Sequence, residues 1–194
     1  QWILGMPVKV SSEVGIGKYH DIEVEDDATC YMEYPNGASG VFITSTGETP
    51  GSNRFEIAGT KGRILLENDK LVFTRNAVPS DEWSKTSKIG FQQPDTTVEE
   101  IPIATTPVSH ASMIDNFCDA ILDGEDLIAP GESGIGSVEL ANVMLYSGLL
   151  HQPIDLPMDG AAWEAKLNDL IANSTHEKKV VEISSEDFTS SFRR

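Results

Sequence analysis

The sequence predicts an α+β fold: an open, mainly antiparallel β-sheet with helices packed on one face. Three observations carry that expectation. From His20 to Asn76 the chain passes through several strand-type stretches joined by short turns, with no room for a helix between them. From Ser109 onward, apolar residues recur at helical spacing in three segments. Between the two regions, residues 77–108 carry Pro79, Pro94, Pro102 and Pro107 and no clear period, so they read as a long excursion with an edge strand near Val98–Ile103.

Taken in order, Gln1 to Pro7 reads as the last turn of a helix, stopped at Gly5 with Pro7 two residues beyond. Val8 to Ser12 alternates as a short strand. In the central hairpin, Asn36-Gly37 suits a two-residue type I′ turn, which sets Tyr34 opposite Ser39. That register places Ala28, Cys30, Met32 and Tyr34 on one face with Ser39, Val41, Ile43 and Ser45, a small apolar surface suited to covering by helices. It places Thr29, Tyr31 and Glu33 on the other with Gly40, Phe42 and Thr44. Thr29, Tyr31, Phe42 and Thr44 are therefore a candidate contact surface, being more apolar than a solvated sheet face requires. Turns at Gly59-Thr60-Lys61-Gly62 and Asn68-Asp69 make Arg54–Ala58, Arg63–Glu67 and Lys70–Arg75 continuations of the same sheet.

Ser109 is the expected N-cap of a helix whose apolar side is Ile114, Phe117, Cys118, Ile121 and Leu122 and which ends at Asp123-Gly124. Its other side bears Asp115, Asp119 and Asp123, a solvated acidic row rather than a metal site, since no His or Cys of ligand spacing joins it. The second helix, Ser133–Leu150, is apolar over most of its circumference and is expected to be the most buried. A third, near Ala161–Ala172, should turn Trp163, Leu167, Leu170 and Ile171 inward. Residues 1–175 are expected to form one domain, and residues 176–194 a tail anchored by Val180, Val181, Ile183, Phe188 and Phe192.

Composition narrows the function. With 194 residues, 39% hydrophobic and 23% charged, the chain has the balance of a globular protein, and no apolar run approaches a membrane span. A net charge of −17, spread along the chain, opposes nucleic acid and anionic membranes. The two cysteines, Cys30 and Cys118, read as small core residues of a reducing, cytoplasmic compartment. None of the four histidines has metal-ligand spacing, so no metal is expected. Gly15-Ile16-Gly17-Lys18 lacks both the third glycine of a dinucleotide loop and the Ser or Thr of a Walker loop. The acids Glu23, Glu25, Asp26 and Asp27 cluster at a strand entrance, where alternation puts Asp26 on the face opposite the other three.

The stretch from Ile22 to Leu71, together with LIAPGESGIGSVELANVMLYSGL and the opening QWILGMP, closely resembles the C-terminal domain of the Gfo/Idh/MocA family of NAD(P)-dependent oxidoreductases. The resemblance implies an intact parent with an N-terminal Rossmann domain, NAD(P) as its cofactor, and a catalytic Lys and His that lie before Gln1. On that implication no residue of this chain is catalytic, no cofactor is bound to it, and the chain alone is inactive. What it keeps is a substrate-side wall for a polyol, an inositol or a sugar, for which His20, Thr46, Asn53 and Arg54 supply hydroxyl, amide and cation groups at strand ends and loops. The family likeness also implies a homodimer or homotetramer paired through the sheet face. Two other readings are a non-catalytic binding or assembly module, and an NAD-dependent glycosidase on the same scaffold.

Overall fold

The computed structural model describes residues 1–103 and 109–177. The anchors expected in the tail, Val180 to Phe192, lie outside the described residues. Contacts divide the chain into two compact units, one of residues 1–47 and 129–194, the other of residues 48–128.

The first unit is built on strands β1 (Lys9–Ile16), β2 (Glu25–Glu33) and β3 (Ser39–Ser45), helix α3 (Gly131–Leu150), the short strand β8 (Ile154–Asp155) and helix α4 (Gly160–Asn173). Its sheet has the order β3-β2-β1-β8 with antiparallel neighbours. Alternation along β2 is strict: Asp26, Ala28, Cys30 and Met32 are buried, and the residues between them are not. Helix α3 lies over that face, where Val10, Met32, Tyr34 and Val143 form the core. Gly148 lets helix and strand approach closely, since a Cβ there would stand 2.5 Å from Cγ2 of Val14. Beyond the two-residue strand β8 the β1 ladder has no partner strand, and the Ser12 N–H instead donates to the buried Ser147 Oγ at 2.9 Å. Ahead of β1, Gly5 N–H bonds the carbonyl of Gln1 at 2.8 Å, with Gly5 at φ +77°, the helical last turn expected there.

The hairpin register differs from the expected one by a single residue. Glu33 faces Ser39, Tyr34 N–H donates to Ala38 O, and Gly37 N–H donates to Tyr34 O with Gly37 at φ +82°, which is a three-residue loop of Pro35, Asn36 and Gly37. A two-residue loop would make Pro35 a closing residue of the ladder, and proline has no N–H to donate there. The shift exchanges the faces of β3. Phe42 and Thr44 stand opposite Cys30 and Ala28 on the helix-bearing side, while Val41 and Ile43 stand opposite Tyr31 and Thr29 on the open side. Thr29, Tyr31, Phe42 and Thr44 thus do not share one surface. The open side is nevertheless apolar, with Tyr31 46%, Val41 64% and Ile43 66% exposed.

The second unit is a meander of β4 (Arg54–Gly59), β5 (Gly62–Glu67), β6 (Lys70–Asn76) and β7 (Thr96–Ile101), with helices α1 (Ser80–Thr86) and α2 (His110–Leu122). Both tight turns stand where the sequence put them: Gly59 pairs Gly62, and Glu67 pairs Lys70 across Asn68 and Asp69, which take φ +50° and +58°. The strands do not extend the first sheet; they make a separate one of order β4-β5-β6-β7. The linking segment from Thr46 to Asn53, with Gly47, Pro50 and Gly51, is too long and too irregular for a hairpin, which leaves β3 an edge strand. Helix α1 was hidden in the sequence because its seven residues have one large apolar side chain, Trp83, whose Nε1 donates to Gln92 O at 2.9 Å. The edge strand forms about two residues earlier than expected.

The helices keep their expected positions and are less buried than expected. Ser109 caps α2 in a capping box with Ser112, yet Ile114, Phe117, Ile121 and Leu122 are exposed and Cys118 is not a core residue. In α3 the buried residues are Val143, Ser147 and Gly148, all in the C-terminal half, and Ile135 and Val138 are exposed. In α4 only Trp163 is buried; Leu167, Leu170 and Ile171 are exposed.

Candidate functional site

The polar side chains with the most organised geometry gather in the first unit, where the loop from Gly17 to Val24 joins β1 to β2. Gly17 opens it at φ +52°, donating its N–H to Val24 O at 3.0 Å; a Cβ at Gly17 would sit 2.4 Å from the carbonyl oxygen of Ile22. The loop wraps around one carboxylate. Asp26, only 3% exposed, accepts the backbone N–H of Lys18 on Oδ1 at 2.9 Å and those of Tyr19 and His20 on Oδ2 at 2.7 and 2.9 Å. Burial works to raise the Asp26 pKa, and the N–H donors of Tyr19, Lys18 and His20 with the His20 ring outweigh it, holding the group at about 2.

His20 is fixed by that carboxylate. Its Nδ1 lies 3.1 Å from Asp26 Oδ2 and 3.3 Å from Thr46 Oγ1, and Thr46 donates its N–H to the Asp26 carbonyl at 2.9 Å. The His20 side chain is 47% exposed while that of Asp26 is 1% exposed, so the ring is held from within and presented to solvent. Tyr19 packs on Gly47, where a Cβ would fall 2.3 Å from the ring. Lys18 reaches Asp27 at 2.8 Å and lies over the Tyr19 ring; the hydrogen bonds to Asp27 and Tyr19 push its pKa upward. Glu23 closes the outer side by accepting the Ser174 hydroxyl and, at 3.0 Å, the Thr175 N–H, and those two donors lower its pKa. Ser174 and Thr175, which with Asn173 spell a glycosylation sequon, thus tie the end of α4 to the loop.

Of the four residues expected at a substrate wall, the structure brings His20 and Thr46 together. Asn53 and Arg54 belong to the second unit. There Arg54 is paired with Glu56 and, at 3.2 Å, with Glu67, both of which raise its pKa, so its charge is already compensated. Sequence reasoning passed over Asp26 as an individual, although strand alternation had already set it apart from its acidic neighbours. The loop does not fit a nicotinamide cofactor: the N–H groups after Gly17, which a phosphate would need, are aimed at Asp26. Among the described residues, no group of three or more His, Cys, Asp or Glu is placed to hold a metal ion, and no helix is long and apolar enough to cross a membrane.

A second, shallower feature lies on the open side of the first sheet. Ser11, Glu13, Thr29, Tyr31, Val41 and His151 line a depression of about 380 Å³, with His151 Nδ1 3.5 Å from Glu13.

The segment that holds strands β1 to β4 and the start of β5 matches a sequence family. Residues 1–65 match the GFO/IDH/MocA C-terminal domain. The matched segment therefore contains the whole His20, Asp26 and Thr46 arrangement. No curated protein matches the chain. Solved structures with a similar fold include an NAD-binding protein from Listeria innocua, at TM-score 0.59 and 16% identity over 79% of this chain and 43% of that one. They also include an aldose-aldose oxidoreductase from Caulobacter crescentus complexed with glycerol, at TM-score 0.57 and 16% identity over 78% of this chain and 42% of that one. A third is a UDP-N-acetylglucosamine 3-dehydrogenase from Acidithiobacillus ferrooxidans, at TM-score 0.55 and 17% identity over 73% of this chain and 40% of that one. At these identities the likeness is one of fold, and this chain spans less than half the length of each relative.

Proposed function

We propose that this chain is the substrate-side and subunit-pairing portion of a nicotinamide-dependent oxidoreductase, which as a whole moves hydride between a polyol, inositol or sugar carbon and NAD(P). The observation that carries the reading is the overlap of the GFO/IDH/MocA match with a loop that presents a fixed imidazole to solvent. The proteins of similar fold point the same way: an NAD-binding protein, an aldose-aldose oxidoreductase and a UDP-N-acetylglucosamine 3-dehydrogenase. In this reading His20 and Thr46 meet substrate hydroxyls, and Asn53 and Arg54 are secondary candidates from the other unit. The cofactor and the reacting groups are supplied by a part of the parent outside these residues, which agrees with a β1–β2 loop whose N–H groups are already taken by Asp26. Subunits pair through the open side of the first sheet, where Thr29 and Tyr31 are joined by Val41 and Ile43.

The test compares the complete gene product with the chain of residues 1–194. The gene product should reduce NAD⁺ or NADP⁺ with an inositol, polyol or aldose as donor. The chain alone should show neither turnover nor saturable quenching of Trp fluorescence by NADH. Tight nicotinamide binding by residues 1–194, or a gene product inert toward every such donor with both cofactors, would remove the proposal.

A further inference from the structure

We infer that Asp26 is a positioning residue that locks His20 with its proton on Nδ1, leaving Nε2 as a preset hydrogen-bond acceptor for a ligand hydroxyl. The inference rests on the substrate reading above and narrows it to ligands that donate at this point.

Asp26 Oδ2 receives two backbone N–H groups, and Oδ1 receives a third. A carboxyl oxygen so used is an acceptor, so the His20 Nδ1 at 3.1 Å from Oδ2 must carry the hydrogen. Thr46 agrees with that assignment: its hydroxyl donates to the Asp26 carbonyl at 3.3 Å, leaving Oγ1 free to accept a share of the same Nδ1–H at 3.3 Å. A neutral imidazole protonated on Nδ1 has its lone pair on Nε2. Nε2 has no protein partner among the described residues, and the ring is half exposed. A group that fills this position has to donate. A sugar or polyol hydroxyl can; an ionised carboxylate or phosphate cannot, and it would also meet Asp26 behind the ring and a chain of net charge −17.

The test uses residues 1–194 with isotope-labelled histidine, the imidazole nitrogen shifts being assigned by loss of one set in His20→Gln. In the unaltered chain, Nδ1 of His20 should show the shift of a protonated ring nitrogen and Nε2 that of an unprotonated one. Xylitol should move Nε2, and glutarate, a dicarboxylate with no hydroxyl to donate, should not. Thr46→Val should keep the Nδ1 proton. Asp26→Asn, which places an N–H donor beside the ring, should lose it, a change that loop loosening alone would not direct to one nitrogen. A ring protonated on Nε2 in the unaltered chain overturns the inference whatever the ligands do, and an equal response to glutarate overturns the preference for a donor. A ring protonated on Nδ1 that ignores xylitol supports the lock and instead overturns the polyol reading on which its ligand class depends.

Discussion

At the scale of single residues, Asp26 organises the β1–β2 loop, because its carboxylate replaces solvent for three consecutive N–H groups of a segment that has no ladder of its own. Its depressed pKa fixes the sign of an acid effect. The stabilisation is fully present above about pH 4, where the carboxyl is ionised even in an unfolded chain, and is lost as pH falls through about 2. Amide-exchange protection of Tyr19 and His20 should therefore hold steady down to about pH 4, decline progressively below it and be lost as pH falls through about 2. The two thiols should differ as sharply. Cys118 is exposed, whereas Cys30 is fully buried and burial raises its pKa, so an alkylating reagent should label Cys118 in the native chain and Cys30 only after unfolding. Equal labelling would contradict the core assignment of Cys30. The sequence named His20 and Thr46 as site residues from their loop positions alone, and the structure puts them in contact. It could not single out Asp26, because four acids in five residues look alike until strand alternation is combined with knowledge of which face a helix covers.

At the scale of elements, close packing is concentrated where α3 crosses β1. Val143→Ala should cost about 2 kcal/mol in denaturant unfolding, since the side chain is fully buried in the core cluster. Gly148→Ala should cost about 1–3 kcal/mol, because the added methyl meets Val14 and a packed helix has little room to retreat. A negligible effect of both would place the cooperative core elsewhere. Element type and order were largely legible: turn residues marked the β5 and β6 hairpins, and Ser109 stands as the cap at the start of α2. Two matters were not. Periodicity shows which helix face is apolar but not how much of it finds a partner, so the exposed Ile135 and Val138 of α3 and Phe117 of α2 look the same in sequence as buried ones. Nor does a strand signal say which sheet a strand joins, and β4 to β6 formed their own.

At the scale of the whole molecule, the open side of the first sheet makes the subunit-pairing proposal specific. If subunits meet there, Ile43→Asp should move the sedimenting species from dimer toward monomer, while Phe42→Asp, on the helix-bearing side, should leave assembly intact in whatever folded protein remains. An unchanged mass for Ile43→Asp would withdraw that surface. Which of the two residues points outward depends on one nitrogen in the turn. Were Pro35 replaced by valine, the restored amide hydrogen would allow the ribbon to close one step earlier. Strand β3 would then roll over, hiding Val41 and Ile43 and bringing Phe42 to the outside. A substitution remote from both surfaces would thus trade one for the other, and the ring of a single imino acid governs the outward character of an entire edge.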